Sequence, residues 1–170
     1  MKDDQTILEA RAKKIRGLGK KQESPGESAM VVCFLLAGEY YSIESIYVSE
    51  VLRMKGLTLI PGAPSFVVGV MNNRGKIIPV INLKFLFNLK EKGLIETTTI
   101  IVLKKGEMEF GIVADAIEGT REIFFNTLSS PPVTIQGIGA EYIKGIAQDG
   151  QILLNGDHVL TDKTFIVNQK

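Results

Sequence analysis

The most informative part of the chain is residues 59–83, which read LIPGAPSFVVGVMNNRGKIIPVINL. Two apolar runs of strand length, 67–73 and 76–83, lie on either side of the dipeptide Arg74-Gly75. Gly75 can adopt the positive φ that a tight hairpin turn requires, because it has no Cβ. The segment therefore predicts a β-hairpin with Arg74 at its tip.

The rest of the chain carries the same pattern of short apolar runs joined by Gly-containing turns. Pro79 in the second run lacks an N–H group, which predicts an edge strand or a bulge there. Short helices are predicted at 45–49 and 83–89. Further hairpins pair residues 30–37 with 40–43, 97–103 with 108–113, and 142–147 with 151–154. Many short strands with Gly-rich turns predict an all-β sandwich or small barrels.

An internal near-duplication gives more detail. Residues 34–39 resemble 101–107, residues 48–51 resemble 120–123, and residues 69–78 resemble 145–153, in the same order. Two similar small barrels, the second built on the plan of the first, are therefore predicted.

Residues 1–29 have a different composition, with seven basic and five acidic side chains and no strand-like run. Thr6 and Glu9 have the spacing of a capping box, and apolar residues follow at helical spacing as far as Leu18. The segment is either a charged, disordered extension or a short amphipathic helix that docks on a partner.

The composition argues against most catalytic and nucleic-acid functions. The chain has 170 residues, a net charge of +1, one cysteine (Cys33) and one histidine (His158). A single Cys and a single His do not form a disulfide framework or a His-rich metal site. There is no Gly-rich nucleotide loop, no basic patch interleaved with aromatic residues, no apolar run of membrane-spanning length and no apolar signal core. These observations favour a cytoplasmic binding module.

Arg74 could be an ordinary solvated turn residue, but its surroundings match a known motif. The sequence GVMNNRGKIIPVINL, residues 69–83, resembles the signature of the CheW family, in which a Gly-Val strand enters Asn-Leu-Arg-Gly and leaves through Pro-Val-Ile-Asp-Leu. Asn73 stands in place of the usual apolar residue, and Asn82 in place of aspartate. Further resemblances follow in order at 34–43, 48–53, 111–115, 141–146 and 153–155.

This resemblance implies a fold and a function. Proteins similar to CheW fold as two SH3-like, five-stranded β-barrels that share a hydrophobic core, and they use no catalytic residue, metal or cofactor. They couple the cytoplasmic tip of methyl-accepting chemoreceptors to the regulatory domain of the histidine kinase CheA, within receptor arrays at the membrane. By motif match, the residues that bind receptor or kinase are Val48, Glu50, Val51, Asn72, Arg74 and Gly75. Val48 and Val51 would offer an apolar patch, and Glu50 and Arg74 would orient the partner.

The resemblance leaves alternatives open. We expect residues 30–160 to form the CheW-like domain of two β-barrel halves, residues 1–29 an extension, and residues 161–170 a C-terminal tail. Within the same class, the chain could be an adaptor of a non-flagellar chemosensory pathway, or a CheW-like domain separated from a receiver domain. In a different class, it could be a β-barrel enzyme or small-ligand binder with its site between the barrels. A shift of the melting temperature with metals or nucleotides would favour that last reading.

Overall fold

A computed structural model describes residues 26–87, 89, 98–131, 138–162 and 165. The predicted helix near Thr6 lies outside the described residues. By its internal contacts the chain divides into two units. The smaller holds residues 1–28 and 124–126, and in its described part the Phe125 N–H donates to the Glu27 carbonyl at 2.9 Å. The larger holds the remaining residues and nearly all of the strands.

The described residues form ten strands in two five-stranded sheets, and the all-β class is confirmed. The first sheet has the order β8-β1-β2-β10-β9 and the second the order β3-β6-β7-β5-β4. The described helices are short: α1 is Leu83–Leu86, α2 is Ile138–Glu141 and α3 is Gly156–Thr161, with 3-10 turns at Ser45–Tyr47 and Phe125–Thr127. The strands are β1 (Ser28–Leu36), β2 (Glu39–Glu44), β3 (Val48–Arg53), β4 (Val67–Asn73), β5 (Lys76–Ile81), β6 (Thr99–Lys105), β7 (Met108–Ala114), β8 (Ala116–Phe124), β9 (Ile143–Ile146) and β10 (Ile152–Leu154).

The sheet topology confirms the internal duplication and shows how the two repeats combine. Strands β1–β5 correspond in order to β6–β10, and exchanging the two sets converts one sheet order into the other. Each sheet takes its first hairpin from one repeat and its other three strands from the other repeat. Both sheets contain one parallel contact at the same place, β2 with β10 and β7 with β5. The two repeats therefore do not fold as consecutive halves.

The predicted barrels are open sheets in the described part of the chain. In the second sheet the edge strands β3 and β4 do not pair with each other. Instead the chain leaves β3 and returns at Thr58, which exchanges two backbone hydrogen bonds of 2.8 Å with Val70 on β4. Ser129 makes the equivalent bridge to Ile146 on β9. Each sheet thus curves until a short connecting segment reaches its far edge, without strand-to-strand closure.

Two glycines in matching repeat positions make these bridges possible. A Cβ on Gly69 would lie 2.4 Å from the Thr58 carbonyl oxygen. A Cβ on Gly145 would lie 2.8 Å from the Leu128 Cβ. Each glycine therefore lets the connecting segment approach its edge strand closely.

An edge position for Pro79 is wrong, because β5 lies inside its sheet, but the alternative, a bulge, is present next to it as a register shift between Val67 and Gly69 of β4. Val70, the partner of Pro79 on β4, directs its own N–H and carbonyl towards Thr58. The nitrogen of Pro79 therefore faces away from β4, and pairing with β7 begins only at Val80. A missing N–H group at this position costs no ladder hydrogen bond.

The shared core explains how the two sheets hold together. Phe34 and Ile43 of the first sheet pack in one buried cluster with Leu103 and Phe110 of the second. A second cluster belongs to the other face of the second sheet alone: Met71, Ile78, Val80, Ile100, Val102 and Val113. Phe165 is fully buried in the shared core. The folded region therefore extends into residues 161–170, which we expected to form a tail.

An ion pair between a buried lysine and an exposed aspartate also links the sheets. The Lys84 ammonium, whose side chain is 3% exposed, lies 2.8 Å from Oδ1 of Asp115 at the β7–β8 junction. The other carboxylate oxygen, Oδ2, accepts the Ala37 N–H at 2.8 Å in the turn between β1 and β2. The Asp115 N–H donates to the Leu35 carbonyl at 2.8 Å. Asp115 thus joins the first hairpin to the β7–β8 junction and to α1.

Candidate functional site

The turn between β4 and β5 holds Arg74 in an uncommon backbone conformation. Arg74 has φ +57° and Gly75 has φ +84°, the pair of positive values found in type I′ hairpin turns. A non-glycine residue in this region costs about 1–2 kcal/mol. The Asn72 side-chain oxygen accepts the Gly75 N–H at 2.9 Å and braces the turn. This hydrogen bond therefore fixes the backbone of the turn from which the Arg74 side chain projects.

The two edges of the second sheet meet through side chains at this turn. Glu50 lies on edge strand β3, and its carboxylate accepts hydrogen bonds from the amide of Asn73 at 2.7 Å and the guanidinium of Arg74 at 3.2 Å. We call this gap between β3 and β4 the seam. The structure thus brings together Glu50, Asn72, Arg74 and Gly75 at one end of the second sheet. The contribution of Asn73 was missed, because an Asn in a turn predicts only turn formation.

The Arg74 and Glu50 side chains differ in exposure, and this difference decides which of them a partner can reach. The Arg74 side chain is 81% exposed, whereas that of Glu50 is 23% exposed. An ion pair this exposed contributes at most about 1 kcal/mol to folding. The guanidinium has five N–H donors, and only its contact with Glu50 is seen. Arg74 can therefore bind a partner's carboxylate or carbonyl while Glu50 keeps Asn73 as a donor.

A β-bulge in β3 places Val48 and Val51 on the same face of the strand. Val48 and Val51 are three residues apart, so in a regular strand they would face opposite sides. The register of β3 shifts between Val48 and Glu50, and the two valines lie opposite Leu103 and Ile101 on one face of β6. Val48 packs against the shared core and Val51 is 43% exposed. The structure therefore brings the valines to one face of β3, opposite to the face of Glu50.

Beside the seam lies an open cleft of about 720 Å³. Apolar side chains in it belong to Leu52, Met54 and Met71, which also pack in or against the second core cluster. Three exposed cations lie around it: Arg53, Lys55 and Arg74. We call this the seam cleft.

The two asparagines of the turn should respond differently to the same change. Asn73→Asp replaces the donor to Glu50 by a second carboxylate, so we expect a loss of about 1–2 kcal/mol in the free energy of unfolding. Asn72→Asp keeps the oxygen that accepts the Gly75 N–H, so we expect a change within about 0.5 kcal/mol. Urea unfolding of both variants measures the difference. Equal losses would show that the Asn73–Glu50 hydrogen bond does not stabilise the seam.

The first sheet carries an ion pair at the related position, with the charges exchanged. Arg121 on edge strand β8 donates two hydrogen bonds, of 2.6 and 3.2 Å, to Asp149 in the turn between β9 and β10. In the second sheet the acidic residue, Glu50, lies on the edge strand, and the basic residue, Arg74, lies in the turn. Nothing in the sequence pattern singled out Arg121 or Asp149, because the aligned positions do not match in charge.

The hydrogen bonds from Arg121 hold the pKa of Asp149 below its usual value. Because the folded-state pKa is depressed, this contact stabilises the fold above the unfolded pKa of about 3.9, and the contribution is lost as pH falls through the folded value. We expect Arg121→Ala to raise the pKa of Asp149, as measured by NMR titration of its carboxyl carbon. Arg74→Ala, in the other sheet, is the control and should leave it unchanged. No upward shift in the Arg121 variant would contradict the assigned cause.

The described residues offer no other chemical site. They contain no cluster of three or more His, Cys, Asp or Glu side chains able to hold a metal ion. Cys33 is buried, and His158 lies near the carboxylates of Glu141 and Asp162 at 3.6 and 3.8 Å. No helix in the described part is both long and apolar enough to cross a membrane.

Comparisons with known proteins agree with the geometry. A family model described as a CheW-like domain matches residues 30–163. The chemotaxis protein CheW of Treponema pallidum is 35% identical over 128 residues, which cover 73% of this chain and 75% of that protein. Protein FrzA of Myxococcus xanthus is 33% identical and covers 68% of this chain and 72% of its own length.

A solved structure shows the same fold. The crystal structure of the scaffolding protein TtCheW from Thermoanaerobacter tengcongensis superposes with a TM-score of 0.70 at 32% identity. The match covers 85% of this chain and 97% of that one.

Proposed function

The chain belongs to the CheW-like domain family and is a scaffold protein rather than an enzyme, and from this we propose that it couples methyl-accepting chemoreceptors to the histidine kinase CheA. In this role it would bind the cytoplasmic tip of the receptor and the regulatory domain of the kinase. It would work in the cytoplasm, recruited to receptor arrays at the membrane, without a cofactor.

One observation carries the assignment of the site. Arg74 is held at positive φ on a hairpin tip, largely exposed, with its carboxylate partner Glu50 also held by Asn73. A strained backbone and an exposed cation contribute little to stability. Such an arrangement is typical of a residue that a partner binds. We therefore propose that Glu50, Asn72, Arg74 and Gly75 form the polar part of a partner-binding surface.

The opposite face of β3 supplies the apolar part in this proposal. Val51 is exposed beside the half-buried Val48, on an edge strand whose outer backbone groups have no strand neighbour. An exposed valine on one face of this edge strand and an arginine on the other suit a helical hairpin tip that packs along the edge, because such a tip offers apolar side chains and hydrogen-bond acceptors together. Weak contacts of this kind suffice in an array, since many simultaneous contacts raise the effective concentration.

A second candidate keeps the adaptor role but changes the pathway. Relatives of this chain carry more than one name, CheW and FrzA among them. The chain could therefore serve a chemosensory system other than flagellar chemotaxis. Affinity measured against every CheA-type regulatory domain of the source organism would identify its kinase.

Pairwise calorimetry tests the proposed function. We expect the full chain to bind the isolated regulatory domain of its kinase and, separately, a receptor tip fragment, each with one site. Binding to neither protein would overturn the proposal. A shift of several degrees in melting temperature with a nucleotide or metal ion would favour a ligand-binding barrel instead.

A further inference from the structure

We propose that the seam cleft binds a peptide segment in which an apolar side chain is flanked by carboxylates. The partner that presents this segment, receptor or kinase, depends on the proposed adaptor function. The chemistry of the segment depends only on the cleft itself.

The apolar floor is the first part of the argument. Met71 is almost fully buried in the second core cluster, and Leu52 and Met54 are half-buried against it. Two of these three side chains are thioethers, which are flexible and polarisable and adapt to varied partners. The Met54 N–H donates to the Thr98 carbonyl at 2.9 Å, so the backbone beside the floor is fixed. A volume of about 720 Å³ is enough for one or two large apolar side chains.

The charge of the rim is the second part. Arg53, Lys55 and Arg74 are all exposed, and among the described carboxylates only Glu50 pairs with one of them. Glu50 is the one carboxylate among the described residues that offsets these three cations, so the rim keeps an excess of positive charge. The net charge of the whole chain is only +1, so the attraction is local to this cleft. A complementary partner therefore carries carboxylates beside its apolar anchor.

The apolar floor favours a peptide over a nucleic acid. A nucleic-acid site needs aromatic platforms for bases along a basic groove. Among the described lining residues, Leu52, Met54 and Met71 are apolar, and none is aromatic. Polyanion binding through the cations alone remains an outcome that the test below separates from the proposal.

Methionine methyl groups make a direct test possible in the full-length protein. With Met methyl groups labelled by 13C, a ten-residue peptide of two leucines flanked by glutamates is titrated by NMR. We expect the Met54 and Met71 methyl signals to shift in a saturable way. Met30 and Met108 lie outside the cleft lining and are internal controls. The same peptide with serine for leucine, its lysine counterpart and a single-stranded oligonucleotide should not produce these shifts.

Two charge-reversal variants test whether the rim cations attract the peptide. Lys55→Glu should weaken peptide binding by about fivefold or more, with a smaller effect at high salt, because rim charges act mainly through electrostatic attraction. Lys104→Glu makes the same change at an exposed position outside the cleft and should leave the affinity unchanged. Equal affinities of the two variants, or equal shifts with the serine peptide or the oligonucleotide, would overturn the proposal.

These experiments distinguish a failure of the cleft proposal from a failure of the proposed adaptor function. If Lys55→Glu changes nothing while Arg74→Ala weakens receptor binding, the adaptor function stands and the cleft proposal is wrong. If the peptide shifts Met54 and Met71 as expected but neither partner protein binds, the cleft proposal stands and the adaptor function is wrong.

Discussion

Arg74→Ala is expected to weaken binding to a receptor tip fragment by about ten- to a hundredfold while the protein stays folded. Losing a charge-assisted contact at an interface costs about 1.5–3 kcal/mol, which corresponds to that range of affinity. Stability should change by no more than about 0.5 kcal/mol, because the side chain is 81% exposed and its ion pair is weak. Calorimetry of binding and urea unfolding measure the two quantities on the same sample.

Three further variants separate the possible causes. Arg74→Gly removes the side chain and relieves the positive φ, so it should fold at least as well as the wild type and bind as weakly as Arg74→Ala. Arg74→Lys should rescue only in part, since lysine lacks the planar fork. Arg121→Ala removes the related ion pair of the first sheet and should leave receptor binding intact. Unchanged binding by well-folded Arg74→Ala would show that the arginine is an ordinary turn residue.

The largest effect on stability is expected at Asp115. Asp115→Ala leaves the nearly fully buried Lys84 ammonium without its carboxylate and removes the acceptor of the Ala37 N–H. Because Asp115 is itself partly exposed, we expect a loss of about 2–3 kcal/mol in the free energy of unfolding. For a chain of this length that corresponds to a fall of about 4–12 °C in melting temperature.

Replacing Lys84 is expected to destabilise the fold less than replacing Asp115. Lys84→Met fills similar volume with an apolar side chain, and the Asp115 carboxylate, 36% exposed, can then be hydrated. Lys84→Met should therefore cost less than half as much as Asp115→Ala. Asp157→Ala, which removes an exposed ion pair with Lys105, is the matched control and should cost under about 1 kcal/mol. Equal losses for Asp115→Ala and Asp157→Ala would show that the link between the sheets does not stabilise the fold.

Most of the hairpins could be predicted because their signals are local. The limits of β4 agree with the predicted run 67–73, since Gly and Asn residues mark the turn directly after it. Strand β8, Ala116–Phe124, was missed: most of its side chains are exposed, so it lacks a buried alternating face. The helix predicted at 45–49 is only a 3-10 turn at Ser45–Tyr47, which leads straight into β3.

The exchange of hairpins between the two repeats could not be predicted from the sequence. A duplication predicts which strands correspond, but not whether a hairpin pairs within its own repeat or with the other one. That choice depends on long-range pairing, such as β3 with β6, which lies about fifty residues further along the chain. The ion pair of Lys84 with Asp115 was unpredictable for the same reason, because it exists only once the two elements meet.

The binding role of the candidate site stays a prediction. The motif named Glu50 and Arg74, and the structure adds only that their side chains are in contact. A bulge between Val48 and Glu50 brings Val48 and Val51 to one face of β3. This bulge depends on the pairing of β3 with β6, so it could not be predicted from the sequence. Asn73 departs from the family pattern, yet it makes the shorter of the two described side-chain contacts to Glu50 and is part of the seam.

Sedimentation of a three-component mixture tests whether this chain joins a receptor to a kinase. Membrane vesicles that carry the receptor are mixed with the kinase, with or without the chain, and pelleted. We expect the kinase to pellet with the vesicles only when the chain is present, and Arg74→Ala to reduce the pelleted fraction. If the pelleted kinase fraction is the same with and without the chain, the chain does not couple the two proteins.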